Sequence, residues 1–190
     1  MAIFRVFFFL FFVVGSYLPS NASAQHIEQL FDEESTLDLS DSLYFLFETD
    51  YQLTISDVSR RRNDFLMHPH DNPNFGFRNN GMWLLTSVAN VSNDKHWVFS
   101  INFSQLDSVD FYLVQNGKVI KQSHQGKAQK EQRFRVPTFR VELPDSDPVD
   151  LYIRIESRSS SLIAPLRIQA EPLHSSYFQM DSLLWGFFYG

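Results

Sequence analysis

The sequence predicts an all-β fold in the form of a β-sandwich. From Phe75 onward, apolar and polar residues alternate with period two, which is typical of half-buried strands. The alternating runs are short, and turn residues separate them. The chain has 190 residues, of which 44% are hydrophobic, and this is enough to build a single core. Together these observations predict at least six strands in one domain.

The clearest strand covers residues 97–103. One face of this strand holds four large apolar side chains: Trp97, Phe99, Ile101 and Phe103. An apolar strand at residues 81–90 precedes it, and Asn93-Asp94-Lys95 predicts a hairpin turn between the two. We therefore expect Trp97 in the core, whereas Trp83 lies on a strand that is apolar on both faces.

Further strands are predicted towards the C-terminus. In residues 109–114, Val109, Phe111 and Leu113 point inward, and Asp110 and Tyr112 point outward. Asn116-Gly117 is a strong hairpin signal that leads into Val119-Ile120, and the polar residues 121–132 are predicted to form a long loop. The remaining strands are expected at three ranges: residues 134–143, 149–156 and 162–170.

The part before Phe75 is mixed. Residues 42–47 predict a strand, and Thr54-Ile55-Ser56-Asp57 resembles a capping box that opens a short helix at residues 55–62. Residues 63–80 then form a long loop that enters the sandwich. This loop contains His68, His70 and Asp71, a set that is better explained as an exposed turn than as a metal site, so neither a metal nor a cofactor is predicted.

Both ends of the chain differ from the sandwich region. Residues 1–24 have the layout of a signal peptide, with Arg5 before a short apolar run and small residues before a cleavage site after Ala24; an uncleaved anchor is the alternative. Residues 25–38 are expected to be a polar linker, the sandwich to cover 39–172 and a connector 173–182. The apolar, aromatic residues 183–190 predict the start of a transmembrane helix, or alternatively a segment that docks on the sandwich.

Composition excludes several classes of function. The chain has 16 Lys+Arg against 22 Asp+Glu, a formal net charge of -6, and this disfavours nucleic acid as a partner. Cysteine is absent, so thiolate catalysis and thiolate metal sites are excluded. No GxSxG, HExxH, P-loop or GxGxxG motif occurs, and the protein is predicted not to be an enzyme. An exported chain without cysteine favours the bacterial periplasm.

The order of motifs resembles the extracellular domain type 2 of the 7TMR-DISM receptors, the seven-transmembrane receptors with diverse intracellular signalling modules. Within residues 48–58, two acidic residues and a tyrosine precede a Leu-Thr-x-x-Asp-Val motif that starts a helix. The other matching segments follow in order: Asn74-Phe75-Gly76, Met82-Trp83-Leu84-Leu85-Thr86, Trp97-Val98-Phe99-Ser100-Ile101, Val109-Asp110-Phe111-Tyr112-Leu113, Phe139-Arg140-Val141-Glu142-Leu143, Leu151-Tyr152-Ile153-Arg154-Ile155 and Leu162-Ile163-Ala164-Pro165-Leu166. The likeness covers about residues 39–170.

The resemblance implies a jelly-roll sandwich similar to carbohydrate-binding modules. It further implies a ligand-sensing domain on the periplasmic face of the bacterial inner membrane, joined to the membrane by the C-terminal segment, with a kinase or diguanylate cyclase output elsewhere. The expected partners are a small-molecule or carbohydrate ligand and, as an alternative way to signal, a second copy in a homodimer. The alternatives are a secreted carbohydrate-binding or adhesion module without a signalling role and a structural domain that pairs with another envelope protein.

A ligand face of this kind needs flat aromatic rings beside hydrogen-bonding side chains. Tyr112, Tyr152 and Arg154 lie opposite the core positions of their strands, and Arg140 would join them if those strands are neighbours. Trp83 is the fifth candidate ligand-binding residue, as a stacking platform. A solvated outer face with cross-strand pairs is the alternative interpretation of these positions.

Overall fold

The computed structural model describes residues 26–32, 36–49, 52–69, 72–127, 135–145 and 147–171. Over these residues the chain forms eleven strands and one α-helix. In chain order they are β1 (Ile27–Leu30), β2 (Leu37–Asp38), β3 (Tyr44–Phe47), α1 (Ile55–Arg60), β4 (Leu66–Met67), β5 (Met82–Asn90), β6 (His96–Ile101), β7 (Ser108–Gln115), β8 (Lys118–Gln125), β9 (Thr138–Glu142), β10 (Val149–Glu156) and β11 (Leu166–Ala170).

The described strands form two sheets, which confirms the predicted all-β sandwich. The larger sheet has seven strands in the order β4-β3-β5-β10-β7-β8, with β1 added parallel to the second half of β5. The smaller sheet has four strands in the order β2-β11-β6-β9. Apart from β1, the strand pairs are antiparallel. Jelly-roll connectivity remains a prediction.

The main core lies between the two sheets and is built from the inward positions that the sequence pattern predicts. On β7, Val109, Phe111 and Leu113 are all fully buried, and Trp97 is 2% exposed on β6. The ring of Phe111 stacks on that of Phe139 from the opposite sheet, with the ring centres 4.5 Å apart. Aromatic contacts across the interior therefore connect the sheets.

A second, smaller core lies on the outer face of the larger sheet, beneath α1. It contains Tyr44, Leu53, Val58, Phe65, Trp83, Leu85, Val114 and Tyr152. The predicted capping box is confirmed, because Thr54 Oγ1 accepts a hydrogen bond from the Asp57 amide and Asp57 Oδ2 accepts one from the Thr54 amide. The α-helix ends at Arg60, and residues 62–64 form a 3-10 turn instead of continuing it.

The predicted Asn-Gly hairpin is confirmed between β7 and β8. Asn116 has φ 50° and Gly117 has φ 73°, the left-handed conformations that a two-residue hairpin of this kind requires. The loop prediction that follows is wrong at its start, because residues 121–125 extend β8. This strand lies at the edge of its sheet and is mostly exposed, so it lacks the apolar alternation by which strands are recognised.

Two further expectations need correction. The predicted hairpin between residues 81–90 and 97–103 is wrong, because β5 and β6 belong to different sheets and the turn crosses between them. Polar turn residues occur both in hairpins within one sheet and in connections that cross between two sheets. Which connection forms depends on the strands that pair with β5 and with β6. The segment expected to be a polar linker contains β1 and β2, which pair with β5 and β11.

The proposed signal peptide at residues 1–24 and the apolar segment at 183–190 lie outside the described residues. So do His70 and Asp71, whereas His68 is buried against the rings of Phe45 and Phe75. Within the described part of the chain, no helix has both the length and the apolar character needed to cross a membrane.

Candidate functional site

The outer face of the larger sheet brings polar and aromatic side chains into rows that run across the strands. One row contains Trp83, Arg154, Asp110 and His124, which face one another on β5, β10, β7 and β8. The adjacent row contains Leu85, Tyr152, Tyr112 and Gln122 on the same four strands. Directly opposed residues in antiparallel strands share a face, so these eight side chains belong to one surface.

The segment around α1 covers only part of this surface. Trp83 and Tyr152 are each 1% exposed because they lie in the second core, whereas Tyr112 is half-buried and Gln122 and His124 are exposed. The uncovered part has a shallow cavity of about 350 Å³, here called the open face, lined by Asp110, Tyr112, Gln122, Ser123 and His124.

A buried ion pair lies beside the open face. Arg154 donates from Nε and Nη2 to Glu48 Oε1 and Oε2, at 2.8 Å in both cases. Glu48 Oε1 also accepts hydrogen bonds from the Trp83 indole at 3.0 Å and from the Leu53 amide at 3.1 Å. The hydrogen bond to Glu48 raises the pKa of Arg154 above its usual value, so this guanidinium stays charged. These side-chain contacts of Glu48 join the end of β3 to β5, to β10 and to the segment before α1.

Arg154 also connects this buried pair to the open face. Its Nη1 lies 3.2 Å from Glu156 Oε2 and 3.8 Å from Asp110 Oδ2. Asp110 Oδ1 in turn lies 2.6 Å from Nδ1 of His124, whose side chain is 49% exposed. A continuous set of polar contacts therefore extends from solvent at His124 to the buried Glu48.

Tyr112 supplies the aromatic surface of the open face. Its ring stacks on Trp83 with the centres 5.7 Å apart and an angle of 29° between the planes. Burial raises the pKa of Tyr112, the charge of Asp110 raises it further, and Arg154 opposes the shift. The hydroxyl therefore stays protonated near neutral pH and is available as a hydrogen-bond donor.

A narrow polar cleft of about 230 Å³ opens beside the Glu48–Arg154 pair. Its walls include Gln52, Asn79, Asn80 and Gly81. A Cβ atom on residue 81 would come within 2.6 Å of Arg154 Nη2 and 2.7 Å of Glu48 Oε2. Only glycine leaves room for the ion pair at this position, which explains its presence at the start of β5.

A second ion pair holds the covering segment on the sheet. Arg62 Nη1 donates to Asp150 Oδ2, and Arg62 Nη2 donates to Ser87 Oγ at 3.1 Å. Ser87 Oγ donates to Asp150 Oδ1 at 2.7 Å, so all three groups are connected. These contacts fix the 3-10 turn after α1 against β5 and β10 and thereby keep Tyr152 covered.

The structure places the five predicted ligand-binding residues in different environments. Tyr112 lies at the open face, and Trp83, Tyr152 and Arg154 lie beneath or beside it in the buried part of the same surface. The expected proximity of Arg140 to them is wrong: it lies on β9 of the other sheet, where its Nε is 2.9 Å from Glu171 Oε1. Alternation identifies which face a residue occupies, but not which strands become neighbours.

The sequence reasoning missed four contributors to this site. Asp110 was assigned to the outward face but not to a site, and Gln122 and His124 fell in the region predicted to be a loop. Glu48 lies 106 positions before its partner Arg154, and it was identified only as part of the motif that precedes the helix, not as a site residue. For Asp110 the available signal was its position two residues before Tyr112, on the same outward face of the strand.

Comparison with known proteins identifies the family. The sequence profile described as 7TMR-DISM extracellular 2 matches residues 40–170, which contain the open face and every described strand except β1 and β2. No curated protein matches the chain. The description of this profile is that of an extracellular domain of the 7TMR-DISM receptors, which supports a sensory domain of a membrane receptor. The chain belongs to the 7TMR-DISM extracellular 2 family.

Proposed function

We propose that this domain senses a small neutral ligand of the sugar class at the open face, as the periplasmic part of a receptor in the bacterial inner membrane. The observation that supports this most directly is the combination of a half-buried Tyr112 ring with Asp110, Gln122 and His124 in one uncovered cavity. The proposal needs no cofactor. No observation on the described residues favours a free carbohydrate-binding module instead.

The chemistry of the open face suits a ligand that has both hydroxyl groups and an apolar ring face. Sugar hydroxyls donate well to a carboxylate such as Asp110, and the amide of Gln122 both donates and accepts. The C–H face of a sugar ring packs on an aromatic ring, which Tyr112 provides. Because Trp83 supports Tyr112 from below, the ring is held in place before the ligand arrives.

The polar contacts provide a route from ligand to scaffold. A ligand hydroxyl on Asp110 would compete with Arg154, whose other donors hold Glu48. Glu48 accepts from the Leu53 amide just before α1, so a change in the Asp110–Arg154 contact acts on the segment that covers the sheet. Signalling by this route requires that the ligand bind two arrangements of the domain with different affinities.

The proposal predicts saturable binding of at least one sugar from a panel of glucose, galactose, mannose, N-acetylglucosamine, maltose and cellobiose. Tyr112→Ala is expected to weaken that binding about tenfold or more, since it removes the stacking surface. Isothermal titration calorimetry on the purified chain measures the effect. Phe77→Ala is the matched control, because Phe77 is 75% exposed and lies outside the open face.

Two results would contradict this proposal. One is the absence of saturable binding for every sugar of the panel. The other is a Tyr112→Ala variant that remains folded and binds the sugar as tightly as the original chain. Equilibrium unfolding of each variant shows whether the fold is retained, so a loss of binding is not mistaken for a loss of structure.

A further inference from the structure

The polar cleft beside the Glu48–Arg154 pair lies on the same face of the larger sheet as the open face. Arg154 and Glu156 line this cleft and occupy alternate positions on β10, so both side chains point to the outer face. Arg154 lies opposite Asp110 of the open face, and its Nη1 is 3.8 Å from Asp110 Oδ2. The two cavities are therefore one side-chain contact apart on a single surface.

Neither cavity is large by itself. The polar cleft has a volume of about 230 Å³ and the open face one of about 350 Å³. Sites for small molecules usually have about 300–1,000 Å³, so the cleft is below this range and the open face is near its lower limit. As direct neighbours, however, the two cavities offer an extended surface to a longer ligand.

The sheet sets the length of this combined surface. Both cavities lie along the neighbouring strands β5-β10-β7-β8. The polar cleft includes Gly81, just before β5, and the open face extends to His124 on β8. Strands β5 and β8 are three strand spacings apart, which is about 14 Å. A single sugar ring is too short to contact both ends of this surface, whereas an oligosaccharide is long enough.

The polar cleft contains side-chain amides that the fold does not use. Gln52 and Asn79 are exposed in its walls, and neither amide forms a hydrogen bond with another described residue. Asn80 differs, because its Nδ2 donates to the backbone carbonyls of Glu48 and Thr49. An amide both donates and accepts hydrogen bonds, as a sugar hydroxyl does. Two amides of the cleft are therefore available to the hydroxyl groups of a ligand.

The charges of the polar cleft favour a neutral ligand. Arg154 pairs with Glu48, and Arg158 Nε lies 3.1 Å from Glu156 Oε1. These four residues are the charged side chains that line the cleft, and each has a partner of opposite sign. An ionic ligand would have to displace one of these partners, whereas a neutral sugar would not.

We propose that the sugar ligand of this domain is an oligosaccharide of at least two units, which binds across the open face and the polar cleft. One unit stacks on Tyr112, and the hydroxyl groups of a further unit bind Gln52 and Asn79. This inference rests on the proposed function, because it needs a sugar at the open face. The simpler interpretation, a cleft that holds only solvent beside the Glu48–Arg154 pair, gives Gln52 and Asn79 no role in binding.

The test compares each monosaccharide with its disaccharide and trisaccharide by isothermal titration calorimetry on the purified chain. The series are glucose with maltose and maltotriose, glucose with cellobiose and cellotriose, and N-acetylglucosamine with chitobiose and chitotriose. In at least one series, a longer sugar is expected to bind about tenfold or more tightly than its monosaccharide. Combining Gln52→Ala with Asn79→Ala should remove this advantage and leave monosaccharide binding unchanged. Tyr112→Ala should weaken both.

Asn102→Ala is the matched control, because Asn102 is an exposed amide outside both cavities. It should leave the advantage of the longer sugar unchanged, and denaturant unfolding shows whether each variant keeps its fold. The inference is overturned if monosaccharides bind as tightly as their oligosaccharides, or if the double variant keeps the advantage. In both cases the sugar site at the open face still stands. If no sugar of any length binds, the proposed function fails together with this inference.

Discussion

Glu48→Gln is expected to lower the free energy of unfolding by about 3–5 kcal/mol. Glu48 and Arg154 are each 6% exposed, and the substitution leaves a buried guanidinium without its main counter-charge. Such a loss is a large part of the total stability of a domain, which is about 5–15 kcal/mol. Guanidinium unfolding followed by tryptophan fluorescence measures it, and Trp83, which donates to Glu48, is a direct reporter.

A second substitution shows whether the uncompensated charge of Arg154 causes the loss of stability in Glu48→Gln. Combining Glu48→Gln with Arg154→Met removes the uncompensated charge, so the double variant should be more stable than Glu48→Gln alone. Asp64→Asn is the control, because the Arg61–Asp64 pair is about half exposed on both sides and should contribute less than about 1 kcal/mol. A Glu48→Gln loss as small as that of the control would contradict a buried, structural ion pair.

Phe111→Ala is the second change with a large expected effect, a loss of about 3–5 kcal/mol of unfolding free energy. Phe111 is fully buried, and its ring contacts Phe139 at 4.5 Å and Phe99 at 5.7 Å between ring centres. Removing it leaves a cavity between the two sheets as well as losing buried apolar area. Thermal and denaturant unfolding both report the change.

Phe77→Ala is the matched control for this substitution. Phe77 has the same side chain at 75% exposure, and its loss should change the free energy of unfolding by no more than about 0.5 kcal/mol. If Phe111→Ala lowered the free energy of unfolding as little as Phe77→Ala, the two sheets would not pack against each other through Phe111, and the sandwich would be contradicted.

Much of the fold was predictable because several strands have one buried and one solvated face. The alternation in β7 correctly assigned Phe111 inward and Tyr112 outward, and the capping box correctly located the start of α1. The end of β8 was missed because an exposed edge strand needs no apolar face. The pairing of β5 with β10 was missed because a local sequence pattern contains no information on pairing between strands that are distant in sequence.

The site was predictable only in part for a related reason. Alternation placed Tyr152 and Arg154 on the outer face correctly, yet it contains no information on whether another element covers that face. The α1 segment, fixed by Arg62 on Asp150, turns half of the surface into a second core and leaves Tyr112 near the boundary. Glu48 completes the site from a loop that is far away in sequence, which only the folded chain reveals.

Hydrogen exchange measured by mass spectrometry, with and without the tightest-binding sugar of the panel, shows whether the sugar binds at the open face. We expect slower exchange in peptides from residues 108–125, which form the open face, and a smaller effect around residues 48–53, which Arg154 reaches through Glu48. Protection confined to β6, β9 and β11 of the smaller sheet would place the sugar elsewhere and contradict binding at the open face.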